Sequence, residues 1–208
     1  MQWQSCFGGL SDEQGYSIIQ TSAGDYVLAG TELSTDEGFF NHGNGVSIDA
    51  YIVRLSSSGS LIWQKCFGGS APDAAYSIIQ ASDGGFAFVG YTNSNNGDVS
   101  GRHGDSTNIG RDIWVVKLDS LGTLQWQKCL GGFEDDWASS IIQIADSSFI
   151  IAGSTNSNDG DISGNHGGRD AWVVKLNSLG AIQWQKCFGG TYDDQVFSVI
   201  LLQMTDSL

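Results

Sequence analysis

The chain has 208 residues, 40% of them hydrophobic and 11% aromatic, which is enough apolar material for a packed core and excludes a disordered chain. Its formal net charge of −14, with only 9 Lys and Arg residues, argues against a nucleic-acid partner, because phosphate binding requires clustered basic side chains. No apolar run is long enough to span a membrane as a helix, and the 29 glycines favour an all-β chain with many tight turns.

A heptapeptide of the form Trp-Gln-Lys-Cys-Phe-Gly-Gly recurs along the chain with at most one change in a copy. Its copies begin at Trp3, Trp63, Trp126 and Trp184, so the spacings are 60, 63 and 58 residues. A sequence that repeats at such a period is built from repeated supersecondary units. The predicted units are approximately 10–67, 68–130 and 131–188.

Each unit predicts four strands in the same order. In the first unit these are Tyr16-Ser-Ile-Ile-Gln, Tyr26-Val-Leu-Ala-Gly, Tyr51-Ile-Val-Arg-Leu and Trp63-Gln-Lys-Cys. The runs are short, aromatic and β-branched, and Gly, Asp, Asn and Ser lie between them, which is typical of strands joined by hairpin turns. A long polar loop separates the second strand from the third, and a short connection containing glycine precedes the fourth.

The third strand of the second unit, Ile113-Trp-Val-Val, is apolar at consecutive positions, so both of its faces are expected to be covered. Four-stranded sheets that are covered on both faces and repeat in tandem are typical of β-propeller blades. The predicted fold is therefore all-β, a partial β-propeller of three four-stranded antiparallel blades. One extra strand is expected at each end, in residues 1–9 and 189–208, within a single propeller fragment that covers 1–208.

Three blades are fewer than the four to eight of known closed rings. The two extra strands would close a monomer as a small fourth blade, or several chains would associate, or the chain would be part of a longer propeller. The last arrangement is the favoured expectation.

The four cysteines occupy the same place in successive fourth strands. They are Cys6, Cys66, Cys129 and Cys187. Equivalent positions at the rim of neighbouring blades lie too far apart for a disulfide, so four free thiols, packed as small hydrophobic side chains, are predicted. Without a Cys-x-x-Cys pair or a neighbouring histidine, these cysteines do not predict a metal site.

The repeated unit resembles those of known families. The run Asp-x-Trp-Val-Val-Lys-Leu, the Trp-Gln-Lys-Cys-Phe-Gly-Gly segment and the following Ser-Ile-Ile-Gln resemble the SBBP-type repeats of secreted or surface Bacteroidetes proteins. The Gly-x-x-x-Trp approach to the fourth strand is similar to the tryptophan-docked blades of quinoprotein-like propellers. The resemblance covers essentially the whole chain and implies an extracellular or cell-surface β-propeller without implying an activity. The first residues have no signal-peptide pattern.

Two kinds of polar loop are expected on one face of such a propeller. They contain all three histidines, His42, His103 and His166, and an acid before each third strand, including Asp112 and Asp170. The favoured interpretation is that Asn, Asp, Ser and Gly form turns and bond to local backbone groups. Asp112 and Asp170 would accept hydrogen bonds from amides at the strand entry, and the histidines would bond to acids or carbonyls.

Calcium binding is the alternative for the same loops, because hard cations prefer carboxylate, amide and carbonyl oxygens. The candidate ligands are Asp98, Asn156, Asn158, Asp159 and Asp161. The EF-hand register does not fit this loop, so another calcium geometry would be required.

A ligand-binding surface on the loop face is the third interpretation. Its candidate residues are His103, His166, Asp136, Trp137 and Asp170. Trp137, Tyr91 and Tyr192 are the aromatic residues that would stack on a sugar. A transition-metal cluster of the three histidines is disfavoured, because equivalent loops of separate blades hold them apart.

No catalytic residue is predicted, because near-identical blades repeat one residue instead of supplying a nucleophile, a base and an orienting group. The predicted function is a non-enzymatic extracellular scaffold, adhesion or protein-interaction module that presents acidic loops. The alternative is a calcium- or carbohydrate-binding propeller of lectin type. The expected partners are a protein or a glycan, with no nucleic acid, no membrane insertion and no cofactor other than calcium in that alternative.

Overall fold

A computed structural model gives the structure of residues 3–34, 47–104 and 110–202, in which there are twelve strands and no helix. The described residues therefore contain no candidate for a membrane-spanning helix. The strands are β1 (Glu13–Gln20), β2 (Tyr26–Glu32), β3 (Asp49–Leu55), β4 (Leu61–Phe67), β5 (Asp73–Gln80), β6 (Phe86–Thr92), β7 (Asp112–Leu118), β8 (Leu124–Leu130), β9 (Asp136–Gln143), β10 (Phe149–Thr155), β11 (Asp170–Leu176) and β12 (Ile182–Phe188).

The strands form three separate four-stranded sheets, and the strand order within each sheet follows the sequence. We call β1–β4 the first sheet, β5–β8 the second and β9–β12 the third. Every neighbouring pair is antiparallel, as in the second sheet, where Phe86 pairs with Leu118 and Thr92 with Asp112. The prediction of three four-stranded antiparallel sheets is confirmed, and each sheet falls within one of the three predicted units.

The middle strands of the second sheet form the best-covered part of the molecule. All residues of β6 and β7 are buried, and Trp114 and Phe88 are completely so. This confirms that both faces of the Ile113-Trp-Val-Val strand are covered. In β11 of the third sheet, buried and half-buried residues alternate instead, so only one face of that sheet is fully covered.

The sheets pack face to face in chain order. One apolar cluster joins the first sheet to the second and contains Ile52, Phe67 and Phe88, and another joins the second sheet to the third and contains Val115, Phe149 and Trp172. The first strands lie near one another, since β5 contacts β1 and β9 contacts β5. The sheets therefore approach each other closely along their first strands.

The tryptophans of the first two fourth strands, β4 and β8, pack against the sheet that follows. Trp63 meets Phe86 and Trp126 meets Phe149, with ring centroids 6.1 and 5.9 Å apart in edge-to-face geometry. Each tryptophan also lies on the glycine of the next sheet's last turn. A Cβ added at Gly122 would lie 3.1 Å from Trp63, and the glycine has a φ of +73°. The turn thus requires glycine for its backbone conformation and for the close approach of the indole.

The two extra strands predicted at the ends are wrong, because residues 3–9 and 189–202 contain no strand. A strand requires a hydrogen-bonded neighbour: in this fold a fourth strand pairs with the third strand before it, and a first strand pairs with the second strand after it. Among the described residues neither end has such a neighbour. The contacts of both end segments still follow the repeat. The ring centroids of Trp3 and Tyr26 lie 5.7 Å apart, and the amide of Val199 donates to Ser140 Oγ at 3.2 Å.

These contacts predict that equivalent tryptophans contribute unequally to stability. Trp126→Ala removes the contact with Phe149 and leaves a cavity between two sheets, so we expect the free energy of unfolding to fall by about 3 kcal/mol. The matched substitution Trp184→Ala affects a side chain that is 43% exposed, and we expect a loss below about 1 kcal/mol. Urea denaturation at high dilution measures both, and equal losses would contradict the packing described here.

Candidate functional site

The loops before the first strands and between the second and third strands meet at one end of the sheets. The amide of Asp98 donates to the carbonyl of Gly68 at 2.8 Å, and the amide of Asp161 donates to the carbonyl of Gly131 at 2.9 Å. We call this end the loop face; its described parts are residues 68–72, 93–104, 131–135, 156–169 and 189–194. Each contact joins a loop between the second and third strands of a sheet to the loop that enters the same sheet.

A buried aspartate begins the first strand of the second and third sheets. Asp136 is fully buried, and its Oδ2 accepts hydrogen bonds from the amide of Gly132 and the hydroxyl of Ser157, both at 2.9 Å. Burial raises the pKa of Asp136 to about 6, while these hydrogen bonds and the Thr155 hydroxyl oppose the rise. Asp136, a predicted ligand-binding residue, is therefore a structural centre of the loop and is not presented to solvent.

Asp73 occupies the same place in the second sheet. It accepts hydrogen bonds from the amide of Gly69 and the hydroxyl of Ser94, both at 2.8 Å, and from the hydroxyl of Thr92. Burial raises its pKa as well. Repetition of one arrangement in two sheets indicates a framework that holds the loops in place.

The first sheet replaces this arrangement with a pair of glutamates. Glu13 Oε1 accepts a hydrogen bond from the Ser34 hydroxyl at 2.5 Å, and Glu32 accepts one from the Ser34 amide. Burial, with a smaller contribution from the neighbouring Glu13, raises the pKa of Glu32 to about 7. The two carboxyl groups share Ser34, and Glu32 stands where the second and third sheets have a threonine.

His103 links the second sheet to the third. Its Nδ1 lies 2.7 Å from Oδ2 of the buried Asp112, which also accepts a hydrogen bond from the His103 amide at 3.0 Å. Its Nε2 lies 3.8 Å from Oδ2 of Asp161 in the loop of the third sheet. The hydrogen bond to Asp112 raises the pKa of His103, burial partly opposes this, and the charges of Asp112 and Asp161 support it. The imidazole of His103 thus lies between acids of two neighbouring sheets.

His166 repeats the local part of this arrangement in the third sheet. Its Nδ1 lies 2.6 Å from Asp170 Oδ2, which accepts a hydrogen bond from the His166 amide at 3.0 Å. The predictions that Asp112 and Asp170 bond to amides at the strand entry, and that these two histidines bond to acids, are confirmed. His42 lies outside the described residues.

The predicted calcium ligands lie in two equivalent loops and not in one. Asp98 accepts a hydrogen bond from the Gly68 amide at 3.3 Å, and Asp161 accepts one from the Gly131 amide at the same distance. Asp159 accepts from the Phe133 amide at 2.8 Å, Asn156 accepts from Arg169 Nε at 3.3 Å, and Asn158 is exposed. Within residues 3–34, 47–104 and 110–202, no group of three or more His, Cys, Asp or Glu side chains is arranged to hold a metal ion.

The predicted aromatic platform is largely covered. The guanidinium carbon of Arg169 lies 4.5 Å from the ring centre of Trp137, so a cation already occupies one face of the indole. Tyr91 is buried under Arg111 at 4.7 Å, and the expectation that it stacks on a sugar is wrong for this reason. Tyr192 is 85% exposed.

The structure reveals two arginines that the sequence interpretation overlooked. Arg111 and Arg169 stand directly before the strand-entry acids of the second and third sheets, and the amide of Arg111 donates to Asp135 Oδ1 at 3.0 Å. A cleft of about 430 Å³ opens beside Arg111. It is lined by Ala71, Pro72, Asn93, Gly110, Arg111, Glu134 and Asp135. The Arg-Asp dipeptide in two of three units was the signal that could have indicated this cleft.

The cysteines lie at equivalent positions near the ends of the fourth strands and in the N-terminal segment. All four cysteines are free, as predicted. Burial raises the pKa of Cys129 and raises that of Cys187 to about 11, with the nearby aspartates adding to both shifts, so neither thiol ionises near neutral pH. The prediction that all four are packed is wrong for Cys6, which is exposed because it has no third strand beside it.

These observations define an all-β repeat protein of tandem four-stranded antiparallel sheets. No protein-family model and no curated protein matches the chain. Among solved structures, the "Tail fiber of Staphylococcus aureus phage P68" is similar over 91% of this chain, with 12% sequence identity and a TM-score of 0.28. The chain spans 42% of the length of that protein. A likeness at this level carries no argument about function.

The His103 bridge predicts a pH-dependent contribution to stability. Because the pKa of His103 is raised in the folded protein, the bridge stabilises most below the ordinary histidine pKa of about 6.5, and this contribution is lost as the pH rises through the folded value. We expect His103→Ala to lower the free energy of unfolding by about 1–3 kcal/mol near pH 5.5 and by less near pH 8.

Thermal or urea unfolding at the two pH values measures this difference. His166→Ala is the matched control, because it removes the same Nδ1 contact with a strand-entry aspartate but no contact with a second acid of a neighbouring sheet, and we expect it to cost less. An equal loss for His103→Ala at both pH values would contradict the bridge.

Proposed function

We propose that the three sheets are blades of a β-propeller. The support lies in the packing: the first strands of successive sheets are in contact, and Trp63 and Trp126 of the fourth strands reach across to the next sheet. Repetition of one sheet-to-sheet contact relates successive sheets by the same rotation, as around a common axis. The first strands would then lie at the centre of the propeller and the fourth strands at its rim.

We propose further that the chain is a non-enzymatic extracellular scaffold that binds a partner protein through the loop face. The observation that carries this proposal is the equivalence of the loop-face bonds in successive sheets. Asp73 and Asp136 bind the same backbone and hydroxyl groups, and His103 and His166 bind the same strand-entry acids. Catalysis requires residues with different roles, whereas equivalent loops suit a surface that contacts a partner at several points.

The charge of the loop face indicates the kind of partner. Glu134 is exposed on it, and so is Asp193, which follows the third sheet. With a net charge of −14, the chain attracts a partner that presents basic side chains. The extracellular location follows from the repeat resemblance and remains part of the proposal.

A glycan ligand is the second candidate, and the cleft beside Arg111 favours it. Asn93, Arg111 and Glu134 bring an amide, a guanidinium and a carboxylate to one opening of about 430 Å³. A few polar groups directed into a small cleft can select the hydroxyl groups of a sugar. Arg169 with Asn156 forms a similar pair in the third sheet, above Trp137.

The proposed binding of a partner through the loop face is tested with two double variants that change the net charge of the chain equally. Glu134→Gln with Asp193→Asn removes two negative charges from the loop face, and Leu121→Lys with Leu179→Lys adds two positive charges at the exposed turns of the opposite end. We expect the first pair to weaken binding to an array of secreted proteins and glycans by about tenfold, and the second pair to leave it unchanged.

Equal effects of the two pairs would contradict binding by the loop face. Signals on glycans alone that Arg111→Ala abolishes would establish the second candidate in place of the first. A protein signal that Arg111→Ala leaves intact would support the scaffold.

Calcium binding is tested by thermal unfolding of the protein with and without the ion. Asp98, Asp159 and Asp161 already accept hydrogen bonds from backbone amides, so we expect the same melting temperature in excess calcium and in EDTA. An ion that binds only the folded state raises the melting temperature as its concentration exceeds the dissociation constant. A higher melting temperature in calcium would therefore contradict this expectation and establish the ion-binding alternative.

A further inference from the structure

The face of the third sheet that is directed away from the second sheet has solvent-exposed apolar side chains. Trp184 is 43% exposed and Phe188 is 54% exposed, whereas Leu130, which is equivalent to Phe188 in the second sheet, is 3% exposed. We call Trp184 and Phe188 the tail face. In the first two sheets the equivalent surface is covered by the sheet that follows.

The opposite end of the molecule leaves the complementary surface open. Ile18 in β1 is 60% exposed, although the equivalent Ile78 and Ile141 are almost fully buried against the preceding sheet. Tyr26 stands where Phe86 and Phe149 receive the tryptophans of the preceding sheets. We call Ile18, Tyr26 and Gly59 the head face. It has the same parts as the surfaces that receive Trp63 and Trp126.

Residues 3–9 cover the head face incompletely. Trp3 packs against Tyr26, and a Cβ added at Gly59 would lie 2.5 Å from its ring. In the inner copy of this contact, Lys65 also donates a hydrogen bond to the carbonyl of Gly122 at 2.8 Å. The residue equivalent to Lys65 in the N-terminal segment is Ser5, whose short side chain lacks both the reach and the charge for that bond.

Strand β12, the fourth strand of the third sheet, carries both the tryptophan and the lysine of this contact. Lys186 follows Trp184 at the spacing at which Lys65 follows Trp63. The tail face can therefore make a contact with the head face that residues 3–9 make only in part. The two faces belong to the same chain but point to opposite ends of the row of sheets, so one molecule cannot bring them together without a further sheet between them.

We propose that this chain associates head to tail with a second copy of itself. Strand β12 of one copy displaces residues 3–9 of the next, and Trp184 docks against Tyr26 and Gly59 while Lys186 donates to the Gly59 carbonyl. Ile18 of the second copy takes the place beside Ser140 that Val199 occupies in the single chain. The interface is heterologous and joins copies into a closed ring or a filament. The proposal rests on the observed packing between sheets and not on the proposed function.

The mass of the full chain in solution, measured by sedimentation over a wide concentration range, tests the association. We expect the mass to rise with concentration for the wild type and for Leu121→Ser, a control in which a side chain that is 70% exposed outside both faces is replaced. We expect Trp184→Ser and Ile18→Ser to remain monomers. A monomeric wild type, or variants that associate as the wild type does, would overturn the proposal.

Mixing the two variants separates a lost interface from a lost fold. Trp184→Ser keeps an intact head face and Ile18→Ser keeps an intact tail face, so an equimolar mixture retains one complete interface. We expect this mixture to form a heterodimer. Two monomeric variants that fail to combine would overturn head-to-tail association.

Discussion

The contact of a fourth-strand tryptophan with the following sheet is the interaction on which this structure depends. No four-stranded sheet covers both of its own faces, and the stable arrangement is one in which neighbouring sheets cover each other. Trp126 makes that contact by packing edge-to-face against Phe149 and lying against Gly180. Aromatic pairs of this kind contribute about 0.5–1.5 kcal/mol beyond the area they bury. A side chain at Gly180 would displace the indole, so the turn and the tryptophan depend on each other.

The polar loops follow from this packing. Where two sheets meet, buried acids such as Asp112 and Asp136 lie close to one backbone segment, since a Cβ added at Gly131 would contact both carboxyl groups. Burial of several carboxylates is unfavourable unless hydrogen bonds and a cation compensate. Backbone amides, hydroxyl groups and His103 supply that compensation. The charge that remains exposed, as on Glu134, is available to a partner.

The sequence predicted the fold better than it predicted the site. Trp63, Trp126 and their repeated surroundings indicated the units, because a repeat imposes the same strands on each copy. The extra strands at the ends were wrong, since the repeat pattern does not reveal whether a pairing strand is present. Asp112 and His103 were predicted to bond locally because turn chemistry acts over short distances.

The failures concern contacts across the strands of one sheet. Burial of Tyr91 under Arg111 and of Trp137 under Arg169 depends on a pairing across strands that residue types alone do not specify. Tyr91 is opposite Ala74, and Trp137 is opposite Ser154, so the bulky ring changes strand between the two sheets while the arginine above it is retained. Position in the repeat was therefore a poor guide to which aromatic is covered.

In the proposed propeller, the sheets converge along their first strands and diverge towards their fourth strands. Spin labels in a cysteine-free background measure this directly, with one pair at Ser22 and Ala145, in the turns after the first strands, and another at Ser58 and Leu179, in the turns before the fourth. All four positions are exposed. We expect a clearly shorter distance between the labels of the first pair than between those of the second. Equal distances would show sheets stacked along a line and would contradict the propeller arrangement.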